Sequence, residues 1–140
     1  ASLGLPSAPA SLHSERDGLA ELAGWFSLIT GALGKFGQDV VLSLQNEVGE
    51  LALQGGGGSS AMPHKQNPVG AEVLVTLARF NATLVSGLHH SLVHENERSG
   101  AAWTLEWMIL PQMAMAAGAA TRTAQDLLGR LSLAQAARTG

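Results

Sequence analysis

The sequence predicts an all-α fold made of long helices. Its 140 residues are 46% hydrophobic, yet they include only three Phe, three Trp and no Tyr. Strands favour aromatic and β-branched residues, so a chain rich in alanine, leucine and glycine suits helices better. Between residues 19 and 51, apolar side chains recur at spacings of three and four, which is the period of a helix with a buried face. Only the glycine-rich stretch that follows, residues 55–67, is predicted to be a loop.

The composition also limits the partners that this chain can have. The net charge is −3 and the eight Lys and Arg are scattered, so there is no electrostatic reason to expect nucleic acid. Polar and charged residues interrupt the two apolar stretches that follow Pro68, so neither offers 18 uninterrupted apolar residues, which argues against a membrane span. The absence of cysteine fits a reducing cytoplasm, and the first eleven residues lack the pattern of a signal peptide.

Charged residues make up only 14% of the chain, against about a quarter in a typical soluble domain. A free-standing domain of this size would carry more charge on its surface. We therefore expect other polypeptide to cover this chain, either the rest of a longer protein or further subunits.

The first helix is predicted to begin near Ser14, with Glu15 and Asp17 in its first turn, where carboxylates suit the helix dipole. The apolar stripe that starts at Leu19 continues through Val48 to Leu51, so the helix is predicted to reach that point.

Two further helices are predicted after the glycine-rich stretch. One begins near Val69, after Pro68, and runs to about Glu97. The other runs from about residues 101–103 to Leu128, with Pro111 tolerated or kinking it. Helices of this length are too long for a compact globule of 140 residues, so we expect them to belong to a larger bundle shared between subunits.

The glycine-rich stretch carries the candidate chemistry. Glycines let backbone N–H groups approach an anion, and the serines, His64, Lys65 and Asn67 add polar and charged groups close by. A nucleotide phosphate loop is disfavoured because His64, not glycine, precedes Lys65. A flexible linker is also disfavoured, because linkers have no use for the sequence MPHKQNP.

Two other groups of residues have alternative interpretations. His90 and His94 share a helix face with Glu97 one turn further on, a spacing that could hold a metal, but a polar patch at the rim of a bundle explains them more simply. We predict no metal. Trp103 and Trp107, with Glu106 between them, are interpreted as packing residues.

The segment GSSAMPHKQNP, Gly58–Pro68, resembles the signature of the fumarase/aspartase superfamily, usually written GSSxMPxKxNP. The resemblance implies a mostly helical protein of three domains whose long central helices form the core of a homotetramer. The 140 residues would be one segment of the central helical bundle, with the signature loop at about 55–68. A first domain bearing a histidine motif is expected before Ala1, and a small helical domain after Gly140.

Further segments point to one branch of this superfamily. LHSERD (12–17), LGKFGQDV (33–40), QNEVGE (45–50) and ENERSGAAWTLEWMILP (95–111) are similar to the 3-carboxy-cis,cis-muconate cycloisomerases. Adenylosuccinate lyases share parts of this pattern but carry a serine-rich stretch and an arginine in place of WTLEW. The resemblance thus implies addition or elimination β to a carboxylate through a carbanion, without a cofactor, on a small di- or tricarboxylate. An adenylosuccinate-type lyase and a catalytically incomplete assembly fragment are the alternatives.

The resemblance also implies residue roles. Ser59 matches the residue that transfers the proton, and Lys65 and Asn67 would stabilise the carbanion with the backbone N–H groups of the loop. Glu72 matches the acid that pairs with a histidine of another subunit. The residues expected to bind substrate are Ser60, Met62, His64 and Arg16. From the residues alone, Arg16 is equally consistent with a plain helix start and with an anion contact.

Overall fold

The computed structural model describes residues 3–10, 13–45, 51–53, 58–59, 62–66, 68–95 and 99–133. Three helices dominate it: α1 (Asp17–Ser43), α2 (Val69–His90) and α3 (Gly100–Arg130). Four short strands accompany them: β1 (Leu51–Leu53), β2 (Gly58–Ser59), β3 (Met62–Gln66) and β4 (Leu131–Leu133). The all-α fold class is confirmed.

The helices run up, down and up, with α2 antiparallel to both of its neighbours. Two glycines of α1 set the closest approach: a Cβ built on Gly34 would lie 2.5 Å from the Cβ of Ala78, and one built on Gly37 would lie 2.5 Å from the carbonyl oxygen of Ala71. Gly34 and Gly37 therefore mark a close crossing of α1 and α2. Asn81 joins α2 to α3 by donating to the carbonyl of Met113 over 3.2 Å.

The core lies in two clusters, one towards each end of the bundle. The first cluster is near the start of α2, and its buried members are Val40, Ala71, Leu74, Ala120, Ala124 and Leu127. The second is near the start of α1 and α3, and its buried members are Ala23, Leu88, Ile109 and Met113. Small alanines on α3 let the three helices pack closely in the first cluster.

The prediction that the first helix reaches Leu51 is wrong. α1 ends at Ser43, Leu51 lies in β1, and Val48 lies outside the described residues. Long helices are held mainly by the packing of their apolar face, and Val40 is the last buried residue of α1 in the first core cluster, with Val41 and the C-cap residue Leu44 packed against it. Leu51 instead pairs with Leu133, so that β1 and β4 form a two-stranded antiparallel sheet.

The second helix is also shorter than predicted, because α2 ends at His90. Ser91 explains the end: its hydroxyl donates to the carbonyl of Leu88 over 2.7 Å, and its own carbonyl accepts from His94 Nδ1 over 2.9 Å. These side-chain bonds satisfy carbonyls that a continuing helix would have used. The third helix matches its prediction closely, with Ser99 as N-cap and Pro111 accommodated inside α3.

Many large apolar side chains stay exposed on all three helices. The most exposed on the helices are Leu28, Val69, Trp107, Met108, Met115 and Leu128. By length and composition, α2 could cross a membrane, with a mean hydropathy of 1.2 over 18 residues. A mostly buried core helix of a soluble protein passes the same criterion, whereas 17% of this window of α2 is buried, in its contacts with both other helices.

Candidate functional site

The signature segment is built mainly as a hairpin directly ahead of α2. β2 and β3 pair antiparallel, with Gly58 opposite Gln66 and Ser59 opposite Met62, and the register is irregular between Gly58 and Ser59. The backbone of Ser59 therefore lies beside that of Met62. The prediction that this stretch is wholly loop is wrong for these residues, because the two extended arms satisfy each other's backbone N–H and C=O groups.

The hairpin holds the backbone of four predicted site residues. Ser59 is in β2, while Met62, His64 and Lys65 are in β3. Ser60 and Asn67 lie outside the described residues. The two ends of this segment therefore pair with each other, with Gly58 opposite Gln66. The first turn of α2 follows a few residues later.

Glu72 lies in that first turn, and its side chain is exposed. Its backbone N–H donates to the carbonyl of Pro68 over 2.9 Å, and its own carbonyl accepts from Thr76 Oγ1 over 3.0 Å. A carboxylate at the start of a helix is favoured by the helix dipole. The carboxylate therefore needs no partner for stability in this chain, and its exposure leaves it accessible.

Arg16 has a specific partner that the sequence did not reveal. Its Nε donates to Glu106 Oε1 over 2.8 Å, and its Nη2 donates to Glu106 Oε2, so that the guanidinium holds both carboxylate oxygens. The two side chains are 15% and 5% exposed, respectively. These hydrogen bonds raise the pKa of Arg16 above its ordinary value, outweighing the opposite effect of burial.

The ion pair lies in the wall of a pocket of about 460 Å³ between the first turns of α1 and α3. Its other lining residues are apolar: Leu19, Leu22, Phe26, Trp103, Trp107, Leu110, Pro111 and Ala114. Trp103 and Trp107 meet edge to face, with ring centroids 6.1 Å apart and an angle of 84° between the planes. The interpretation of these tryptophans as packing residues was thus incomplete, because Trp107 is 65% exposed at this pocket.

The structure does not bring Arg16 together with the signature segment. Gly37 packs on Ala71, next to Glu72, and it follows Arg16 by 21 residues of the chain. At about 1.5 Å per helical residue, Arg16 and Glu72 are about 30 Å apart, at opposite ends of the bundle. One copy of the chain therefore cannot present both side chains to one small substrate.

The histidines at the end of α2 form a looser group. His89 and His90 are exposed, whereas His94 donates through Nδ1 to the Ser91 carbonyl and its Nε2 is buried without a hydrogen-bond partner among the described residues. Glu97 lies outside those residues. In the described part of the chain, no three His, Cys, Asp or Glu side chains lie close enough to hold a metal ion.

Comparison with known proteins places this arrangement in a family. A family model described as lyase matches residues 2–83. Among curated relatives, 3-carboxy-cis,cis-muconate cycloisomerase of Pseudomonas putida is 46% identical over 126 residues, which are 88% of this chain and 29% of that protein. Nitrosuccinate lyase of Streptomyces davaonensis is 39% identical over 131 residues, 90% of this chain and 28% of that protein.

A solved structure agrees with these relatives. The 3-carboxy-cis,cis-muconate lactonizing enzyme from Pseudomonas putida superposes with a TM-score of 0.79 at 40% identity, over 92% of this chain and 28% of that one. The chain spans under a third of the length of these proteins. On the strength of its signature segment, its family match and its helical fold, the chain belongs to the lyase family, within the fumarase/aspartase superfamily.

Proposed function

We propose that the protein that contains this chain is a cycloisomerase that interconverts 3-carboxy-cis,cis-muconate and a carboxymuconolactone. The carrying observation is the signature segment Gly58–Pro68, whose described residues form a hairpin directly ahead of α2. Several relatives that are 37–46% identical to this chain over the aligned residues carry the name of that cycloisomerase. We further propose that the reaction serves the breakdown of aromatic acids in the cytoplasm and needs no cofactor.

The proposed step is an addition that conserves all atoms. A carboxylate oxygen of the substrate forms a bond to one carbon of a double bond, and the π electrons move to the neighbouring carbon, which lies α to another carboxylate. Ser59 then delivers a proton to that carbon, and the lactone results. In the reverse direction Ser59 removes the proton.

The difficulty of this step is the carbanion, because its charge adds to the charge of the carboxylate beside it. Preorganised donors lower its energy most effectively. We propose that Lys65, Asn67 and backbone N–H groups of the hairpin are these donors, and that Ser60, Met62 and His64 bind the substrate. A serine hydroxyl is a weak acid, so the same positive surroundings must lower its pKa, and each unit corresponds to about 1.4 kcal/mol.

Two further predicted site residues, Glu72 and Arg16, lie outside the hairpin. Glu72 would orient a histidine of another subunit, and its exposure at the start of α2 supports this role. We propose that Arg16, which was predicted to contact substrate, contributes instead through its closed pair with Glu106 at the other end of the bundle.

We also propose a homo-oligomer, a tetramer with active sites shared between copies. The exposed apolar side chains on all three helices and the low charge of the sequence support it. If sites are shared, specific activity should fall when the protein is diluted below the concentration at which it dissociates. Light scattering on the same dilution series measures the dissociation, and constant activity in a dissociated sample would contradict shared sites.

The deciding experiment follows the ultraviolet absorbance of the conjugated diene in 3-carboxy-cis,cis-muconate with the intact protein. We expect the diene to disappear with wild type and to persist with Ser59→Ala, while Ser43→Ala at the end of α1 serves as the matched control. Cleavage of adenylosuccinate without diene loss would instead favour the adenylosuccinate-type lyase. No turnover of either substrate would favour the assembly fragment.

A further inference from the structure

The pocket between the first turns of α1 and α3 has the dimensions and lining of a small-molecule site. Its volume of about 460 Å³ lies within the usual range of about 300–1,000 Å³ for such sites. Phe26, Trp103 and Trp107 supply aromatic surface, and the remaining wall is aliphatic apart from Arg16 and Glu106. Flat aromatic or conjugated groups pack favourably on such rings, both edge to face and in offset stacks.

The charges in this wall cancel each other. Arg16 gives its Nε and Nη2 to the two oxygens of Glu106, and Glu106 is only 4% exposed. A ligand carboxylate or phosphate could take Arg16 only by leaving the Glu106 carboxylate buried without its cation, which is strongly unfavourable. An ammonium ligand would face the corresponding problem at Arg16. The closed pair therefore disfavours ions of either sign.

We propose that this pocket binds an uncharged, flat aromatic or conjugated group, and that the Arg16–Glu106 pair excludes anions from it. The inference goes beyond the proposed function, because it uses none of the groups assigned to the reaction at the signature segment. It depends on the pocket's volume, its aromatic lining and the geometry of one ion pair. It also gives Arg16 a role as a selectivity-determining residue that acts through Glu106.

Two fluorescent probes with the same ring system test the proposal. N-phenyl-1-naphthylamine is neutral at pH 7, and 1-anilinonaphthalene-8-sulfonate differs from it by one anionic group. We expect the purified protein to bind the neutral probe at least tenfold more tightly. Trp107→Ala should weaken binding of the neutral probe at least tenfold, whereas Leu128→Ala, at an exposed apolar residue of α3 outside this pocket, should leave it unchanged.

Glu106→Gln tests the selectivity itself, because it leaves Arg16 charged beside a neutral partner. We expect this variant to bind the sulfonate about tenfold more tightly than wild type does, with little change for the neutral probe. The double variant Arg16→Met/Glu106→Leu removes both charges together and should keep the preference for the neutral probe, which provides a test if the single variant does not fold.

Three results would overturn the proposal. The first is wild-type protein that binds the sulfonate as tightly as the neutral probe. The second is a wild-type protein that does not bind the neutral probe, as expected if another part of the protein fills the pocket. The third is equal weakening by Trp107→Ala and Leu128→Ala, which would place the probe elsewhere. None of these measurements requires turnover, so failure of the proposed reaction and failure of this inference remain distinguishable.

Discussion

Replacing Arg16 by methionine should destabilise the protein far more than removal of an exposed ion pair does. Methionine keeps much of the aliphatic stem but removes both hydrogen bonds to Glu106, whose side chain is 5% exposed. Removing one partner of a buried ion pair costs about 3–5 kcal/mol, because the other charge stays buried without compensation. For a chain of this size, such a loss lowers the melting temperature by about 10–15 °C.

The chain offers a matched control in the Lys35–Asp39 pair. It joins two residues one turn apart on α1, with Lys35 Nζ 2.6 Å from Asp39 Oδ2, and its side chains are 72% and 53% exposed. An exposed pair of this kind contributes about 0.3–0.5 kcal/mol. Lys35→Met should therefore change stability by less than about 1 kcal/mol, measured by urea denaturation followed by circular dichroism.

Two further measurements refine this prediction. Arg16→Met/Glu106→Leu should recover most of the lost stability, since an apolar pair can replace a buried ion pair at little cost. The pair raises the pKa of Arg16, so its stabilisation is present at every pH below the unfolded pKa and is lost only as the pH rises through the folded value. Titration of Arg16 itself therefore adds no pH dependence to the cost of Arg16→Met between about pH 6 and 9. A cost no larger than that of Lys35→Met would refute the burial of the pair.

Gly37→Ala should destabilise the protein by about 1–3 kcal/mol, because the new Cβ would lie 2.5 Å from the Ala71 carbonyl and force α1 away from α2. Gly31→Ala is the control on the same helix, because nothing lies within 4 Å of its new Cβ, and it should stabilise the protein by up to about 1 kcal/mol. Equal effects of the two variants in thermal melts would contradict the close crossing of α1 and α2. Asn81→Asp should lower the free energy of unfolding by at least about 2 kcal/mol, because it removes the hydrogen bond to the Met113 carbonyl and buries a charge. Asn81→Leu should lower it less, because it buries no charge and the Asn81 Oδ1 that it removes has no partner in the described structure. Urea denaturation of both variants compares these costs, and a larger loss for leucine would overturn the reasoning.

The helices were predictable from the sequence because their signals are local. Apolar spacing of three and four residues placed α1, and Pro68 marked the start of α2. Their ends were less predictable. The apolar pattern continues past Ser43, but the end of a helix depends on whether neighbouring helices still offer a surface to pack on, and periodicity does not contain that information.

The signature segment and the Arg16 pocket differ in what the sequence revealed. The signature is contiguous, so its eleven residues could be recognised as a unit. Arg16 and Glu106 are ninety positions apart, and no spacing rule connects residues on different helices at that separation. A signal was present nonetheless: Glu106 is a carboxylate among apolar residues on the face of α3 that carries Ala102, Ile109 and Met113, and a buried carboxylate requires a cation.

The two ends of the bundle are chemically different. At one end lie the hairpin, whose second strand includes Lys65, and the exposed carboxylate of Glu72. At the other end, Arg16 is already neutralised and the wall is aromatic. A separation of about 30 Å is several times the length of a small tricarboxylate. If both ends contact one substrate, they must therefore belong to different copies of the chain, and the neutral pocket would contact the uncharged part of it. If only the hairpin end does, the aromatic pocket is available to a second, uncharged ligand.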